Sequence, residues 1–351
     1  MIGNHAIPVI VDAYLKGFKG FDAEEAYQAV KASATVSHFN SDWETFEKYG
    51  YFPFDIIDTE SVSKTLECAY DDYCVAQMAK ALGKTEDYER FSKRAAFYKN
   101  LFDPSTGFMR PKKADGTWKS PFNPSQVGHA ESVGGDYTEG NAWQYTFYVP
   151  HDVKGLVEKM GADEFNARLD SIFSISQKKI FSGGTEVGAF AGLQTLYNQG
   201  NQPCLHTSWL FNEAGRPSLT QKWVRAILNE FYGTDGIHGY GYGQDEDQGQ
   251  LGAWYVISSL GLFDVKGLTD PQPSFGLGAP LFDKITIKLN EEYYPGKEFV
   301  ITVSDNTGSD AYVQQYLLNG QPLHATRIPF ADIVKGGSLD IQMGKQPKDQ
   351  Y

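Results

Sequence analysis

The chain has 351 residues, 41% hydrophobic and 21% charged, an ordinary balance for a globular protein able to bury a sizeable core. Its net charge of -13 leaves no basic stripe to neutralise phosphates, which excludes a nucleic-acid partner. No apolar run approaches the ~20 residues of a membrane span, so no membrane partner is expected, and the opening "MIGNHAIPVIVDAYLKG" lacks the basic region and apolar core of a signal peptide.

Residues 1–265 read as helices joined by structured loops. In "SVSKTLECAYDDYCVAQMAKALG", Val62, Leu66, Ala69, Tyr73 and Ala76 recur at helical spacing until Gly83 stops the run. A second helix sets Tyr88, Phe91, Ala95 and Tyr98 on one face. Segments 163–173 (Phe165, Leu169, Ile172) and 218–231 (Leu219, Trp223, Ile227, Phe231) repeat the pattern, and Asp152 reads as the cap of a short helix ended by Gly161. Cys68, Cys74 and Cys204 fit neither a metal spacing nor an even disulfide framework and read as small buried hydrophobes. Near Pro271 the pattern changes. "DKITIKLN" turns Ile285, Ile287 and Leu289 inward, "EFVITVSD" does the same with Phe299, Ile301 and Val303, and Asn319-Gly320 and Gly336-Gly337 mark turns. The expected architecture is mainly α: a helical body over 1–270 and a small antiparallel β element over 271–351.

Three stretches carry chemistry. "HGYGYGQDEDQGQLGAWY" (238–255) sets Asp245, Glu246 and Asp247 side by side among glycines and aromatics, although adjacent carboxylates repel. Asp247 serves as the cap of a helix over 248–260, with Gln250 completing a capping box, but Asp245 and Glu246 are left over. An EF-hand loop fails, since its sixth position is Gln250 and its twelfth Val256. In "DYTEGNAWQYTFYVPHD" (136–152), Glu139 lies among Tyr137, Trp143, Tyr145 and Tyr148. It is either a carboxyl whose charge is disfavoured by aromatic surroundings, as suits a general acid, or a surface glutamate at a helix start. In "YNQGNQPCLHTSW" (197–209), the amide oxygens of Asn201 and Gln202 suit a hard cation or sugar hydroxyls, while His206 is a ligand or a hydrogen-bonded helix histidine. "GFMRP" (107–111) offers Arg110, as a ligand contact or a loop ion pair.

Taken together, "EGNAWQY-x-F-x-VPHD", "GNQP" and "YGQDEDQGQLGAWYV" resemble glycoside hydrolase family 92, the calcium-dependent exo-acting α-mannosidases. "GNHAIPVIVDAYLKG" (3–17), "AYDDYCVAQMAKALGK" (69–84), "GAPLFDKITIKL" (278–289), "LNG" (318–320) and "GGSL" (336–339) extend the likeness in order over nearly the whole chain. The resemblance implies an (α/α)6 barrel and hydrolysis of terminal α-linked mannose, in mannosides or N-glycans, by single displacement with inversion. Glu139 matches the general acid, and Asp245 and Asp247 match the carboxylate pair that activates water. Trp143, Asn201, Arg110 and His206 would contact the sugar. Calcium would sit on Asn201, Gln202 and Asp247 and bind O2 and O3 of the terminal mannose. The family's loop reads GNEP where this chain has Gln202. Members also carry an N-terminal β-sandwich domain and the first barrel helices ahead of "GNHAIP". The resemblance therefore implies a barrel incomplete on its N-terminal side, and a mannose-binding site completed by that domain or a separate chain. It implies little turnover by this chain alone, and a secreted or periplasmic location. The competing readings are a carbohydrate-binding fragment without catalysis and a different (α/α)6 glycosidase.

Overall fold

The computed structural model describes residues 2–18, 20–38, 41–128, 135–183, 191–234, 249–308 and 312–351. It is mainly helical with small sheets, and its contacts divide into two units. The first is Met1–Met160 with Leu193–Leu196 and Thr269–Pro271; the second is Gly161–Gly192, Tyr197–Leu268 and Gln272–Tyr351.

The first unit is built on α4 (Ser61–Ala81), which is buried along almost its whole length and on every side. Around it pack α1 (Ala6–Leu15), α2 (Ala23–Ser33) and α5 (Thr85–Ala95), whose Val11, Tyr27, Val30 and Phe91 meet Val75 and Met78 of α4. Gly83, at φ 72, breaks the chain between α4 and α5, where a side chain would be strained. α3 (Trp43–Tyr49) is capped by Asp42 and stacks Phe46 on Phe52 at 4.9 Å. A central helix with no solvent face must neutralise any charge it carries, and α4 carries Glu67, Asp71 and Asp72 in its interior. Each has a cationic partner. Arg94 of α5 donates to Asp72, and His5 lies between Glu67 and Asp71.

In the second unit the helices Ala162–Gln177 and Pro217–Glu230 bring Phe173 onto Trp223, stacked at 5.6 Å. The five strands of its larger sheet are β5 (Lys284–Lys288), β6 (Glu298–Ser304), β10 (Gly337–Gly344), β7 (Tyr312–Leu318) and β8 (Gln321–Pro322), in that spatial order. Phe299, Ile301 and Val303 face the core as their alternation requires, and Asn319-Gly320 turns β7 into β8 with both residues at positive φ. One expectation is corrected. The sheet is not wholly antiparallel, because β10 runs parallel to β6, Gly337 opposite Phe299 through Gln342 opposite Ser304. A parallel pair needs a long crossover, and here β7, β8, β9 (Arg327–Pro329) and a short helix Phe330–Ile333 supply it. A second small sheet pairs β3 (Leu262–Phe263), β4 (Ser274–Leu277) and β9, and within the helical region β1 (Phe102–Asp103) pairs β2 (Phe108–Met109).

Candidate active site

Glu139 is half-buried and sits in the left-handed region at φ 46. A non-glycine residue holds that conformation only where the flanking backbone is fixed, and here both flanks are. Upstream, Glu60 N–H donates to Gly135 O (2.6 Å), Val62 N–H to Asp136 O (3.0 Å) and Thr138 N–H to Ser63 Oγ (2.8 Å), so the first turn of α4 grips residues 135–138. The Asp136 carboxylate takes Lys119 Nζ at 2.6 Å and Ser61 Oγ at 3.2 Å. Gly135 is required: at φ +109, an added Cβ would lie 2.9 Å from Gly128 Cα. Downstream, Gly140 and Gly128 exchange backbone hydrogen bonds of 3.1 and 3.0 Å. Asn141 then caps the short helix Ala142–Tyr145 with Oδ1, while its Nδ2 donates to the carbonyls of Leu193 and Thr195, each at 2.9 Å.

The aromatics around Glu139 are committed elsewhere. Tyr137 OH donates to Met109 O (2.6 Å), and Trp143 Nε1 donates to Ser125 Oγ (3.2 Å) with its ring edge-on to Phe108 at 4.7 Å. Arg110 forms the loop ion pair, with Nη1 2.9 Å from Asp103 Oδ2, Nε and Nη2 on Lys119 O, and its guanidinium 5.0 Å over Phe122.

Beneath this loop runs a network that the sequence reading passed over. The Tyr145 hydroxyl donates to Glu67 Oε1 at 3.1 Å. Glu67 Oε2 and Asp71 Oδ1 each lie 2.9 Å from a ring nitrogen of His5, and Asn4 N–H donates to Asp71 Oδ2 at 2.7 Å. Burial disfavours the imidazolium, but Asp71 and then Glu67 outweigh it and push the His5 pKa up to about 11. The signal available in the sequence was the i, i+4 spacing of Glu67 and Asp71 in the interior of the long helical run.

In the second unit, Asn201 opens a tight turn Gln202–Cys204, its carbonyl accepting from Cys204 N–H (3.0 Å). Asn201 and His206 are buried, Gln202 half-buried. The loop is braced by Gln199, bonded to Phe181 O and Tyr232 OH, and by Trp254, which donates to Leu205 O (2.8 Å) and stacks on Tyr232 at 5.8 Å. Among the described residues no three His, Cys, Asp or Glu side chains converge on a metal-sized space. The amide oxygens of Asn201 and Gln202 are hard donors of the kind calcium takes.

Asp245, Glu246 and Asp247, with Tyr240 and Tyr242, lie outside the described residues. The helix that follows runs Gln250–Ser259 with Gly249 at its N-cap, at φ 88 and with no side-chain cap. The expected capping box is therefore corrected, because Gln250 stands at the first helical position rather than the third.

The chain belongs to glycosyl hydrolase family 92, whose catalytic-domain model matches residues 1–345. Among solved structures it is similar to a family GH92 α-mannosidase of Bacteroides thetaiotaomicron in complex with mannoimidazole, with TM-score 0.86, 35% identity, and 99% of this chain covered but 44% of that one. It is similar too to a family GH92 inverting mannosidase of Bacteroides thetaiotaomicron VPI-5482, with TM-score 0.81, 34% identity, and 99% and 48% covered. A secreted glycosidase of Arthroderma benhamiae is 27% identical over 384 residues, 98% of this chain and 45% of that protein. The chain thus spans less than half the length of these relatives. Among the described residues, no helix is long and apolar enough to cross a membrane.

Proposed function

We propose that this chain carries the acid and base of an exo-acting α-mannosidase that releases terminal α-linked mannose from mannosides or N-glycans with inversion. Glu139 protonates the leaving oxygen. Asp247, with Asp245 beside it in sequence, would deprotonate the attacking water, the role an inverting mechanism gives its second carboxylate. The observation that carries this reading is the family-92 catalytic-domain match combined with a half-buried Glu139 held at φ 46 by hydrogen bonds on both flanks. Trp143, Asn201, Arg110 and His206 would contact the sugar, Arg110 while keeping its ion pair with Asp103. Asn201 and Gln202, with Asp247, would hold calcium, which supplies a hard cation to orient and polarise O2 and O3 of the terminal mannose.

In this reading the helical segment 1–270 contributes to an (α/α)6 barrel and the strands of 271–351 pack on a β-sandwich domain. That domain belongs to the part of the family this chain does not span, and it completes the site. The secreted relative supports a secreted or periplasmic location.

The test is Glu139→Gln in the full-length protein. Turnover of a mannoside with a poor leaving group should fall by about 10²–10⁴-fold with the fold unchanged, and NMR should detect β-mannose as the first product. An unchanged rate on a natural disaccharide removes Glu139 from the mechanism, and α-mannose as first product overturns inversion. Mannoside binding without any release would establish the carbohydrate-binding reading, and release of another sugar would establish a different glycosidase.

A further inference from the structure

We propose that Ser63, Tyr145 and Glu67 are positioning residues for Glu139, holding the carboxyl on its line to the leaving oxygen through the backbone on either side of it. The inference rests on the reading of Glu139 as the proton donor. Its basis is a pair of buried hydrogen bonds to neighbouring turns of α4. Thr138 N–H, immediately before Glu139, donates to Ser63 Oγ (2.8 Å). The hydroxyl of Tyr145, at the end of the short helix after Glu139, donates to Glu67 Oε1 (3.1 Å), one turn along α4 from Ser63. Ser63 is fully buried and Tyr145 is 1% exposed, so water cannot substitute for either group.

The network therefore ties together two points of the chain that straddle Glu139, and anchors both to the central helix α4. Its far end is fixed as well, because His5 bridges Glu67 and Asp71, which lie one turn apart on α4. Glu139 itself stands in the left-handed region, where the direction of its Cβ is set by the two adjoining peptide planes. Releasing Thr138 N–H or the Tyr145 hydroxyl lets those planes relax, and the carboxyl swings with them. A general acid works only within hydrogen-bond reach of its target.

The experiment compares Tyr145→Phe and Ser63→Ala with the parent in the full-length protein, on an activated aryl α-mannoside and on a disaccharide. The aryl substrate departs with little need of a proton; the disaccharide does not. We expect kcat/KM on the disaccharide to fall by roughly 10–100-fold, through kcat, while that on the aryl mannoside changes less than about threefold. In a Glu139→Gln background, Tyr145→Phe should cost almost nothing more, since the group it positions is gone. Tyr145→Phe keeps the ring in place, so it carries the test if Ser63→Ala fails to fold. Equal losses on both substrates, no loss on the disaccharide, or full additivity with Glu139→Gln would each overturn the proposal while leaving the donor assignment standing. Normal disaccharide turnover by Glu139→Gln would overturn the donor assignment itself.

Discussion

Arg94 Nε donates to Asp72 Oδ2 over 2.8 Å, with both side chains at 2% exposure or less. The second oxygen, Asp72 Oδ1, has no hydrogen-bond partner among the described residues, and burial lifts the carboxyl's pKa to about 7 although Arg94 pulls it down. The folded chain therefore holds this proton to a higher pH than the unfolded chain, whose carboxyl releases it near ~3.9. Folding takes up a proton between the two values, so this group's contribution to stability falls as pH rises from about 4 to about 7. Asp72→Asn should remove that slope. Urea unfolding across the window would show it as a shrinking deficit, or growing advantage, of the variant with rising pH.

His5 behaves in the opposite sense. Its folded pKa of about 11 lies above the ordinary 6.5, so its stabilisation is fully present below 6.5 and is lost as pH climbs toward 11. His5→Ala leaves Glu67 and Asp71 facing each other without a cation. Because the ring is 40% exposed and partly screened, we expect a loss of about 1–2 kcal/mol near pH 6, shrinking toward pH 10. A loss that is flat with pH would contradict the ion-pair account.

In the second unit Arg327 spans Glu213 (2.6 Å), Asp264 (2.5 Å) and both the hydroxyl and carbonyl of Ser274 (2.8 and 2.7 Å). A lysine cannot reproduce that planar fork. Arg327→Lys is expected to cost about 2–4 kcal/mol, because Asp264 is almost wholly buried and would lose its guanidinium partner. Thermal denaturation would register it, and a shift of under a degree would contradict the clamp.

Metal dependence follows from the proposed calcium site. Turnover by the full-length protein should disappear on chelation and return with calcium better than with magnesium, which demands tighter octahedral geometry. Undiminished activity in metal-free protein would remove calcium from the account.

Cys68, Cys74 and Cys204 are all buried, and burial pushes their thiols up, that of Cys204 to about 12. A thiol reagent should find none of them in the native protein and all three in denaturant. Rapid labelling of one in buffer would show local opening around it.

Much of the helical scaffold was legible because the pattern is local. Val62 to Ala76 marked α4, Gly83 marked its end, and the alternation around Ile301 marked β6. The direction of β10 was not legible, since alternation tells which side chains face inward and nothing about which neighbour a strand joins. The cap of the Gln250 helix was misread because a left-handed Gly249 starts it without a side chain. At the site, Glu139 was singled out through its motif, and its role as the acid is a proposal. The groups beneath it were missed because His5 meets Glu67 across 62 positions of sequence, a distance no periodicity reports. Asp245 and Asp247 lie outside the described residues, so their partnership with Glu139 remains a proposal.

The place of β10 has a consequence for synthesis. It is the middle strand of five, yet it is the last of them along the chain. Until residues 337–344 leave the ribosome, β6 and β7 each present an open edge where β10 belongs, and unpaired edges recruit other strands. The sheet therefore closes only after translation has passed it, by an insertion between two waiting hairpins. A ribosome stalled just short of Gly337 would hold a chain whose first unit has its own residues up to Thr269–Pro271 available, but whose second unit is an aggregation-prone template.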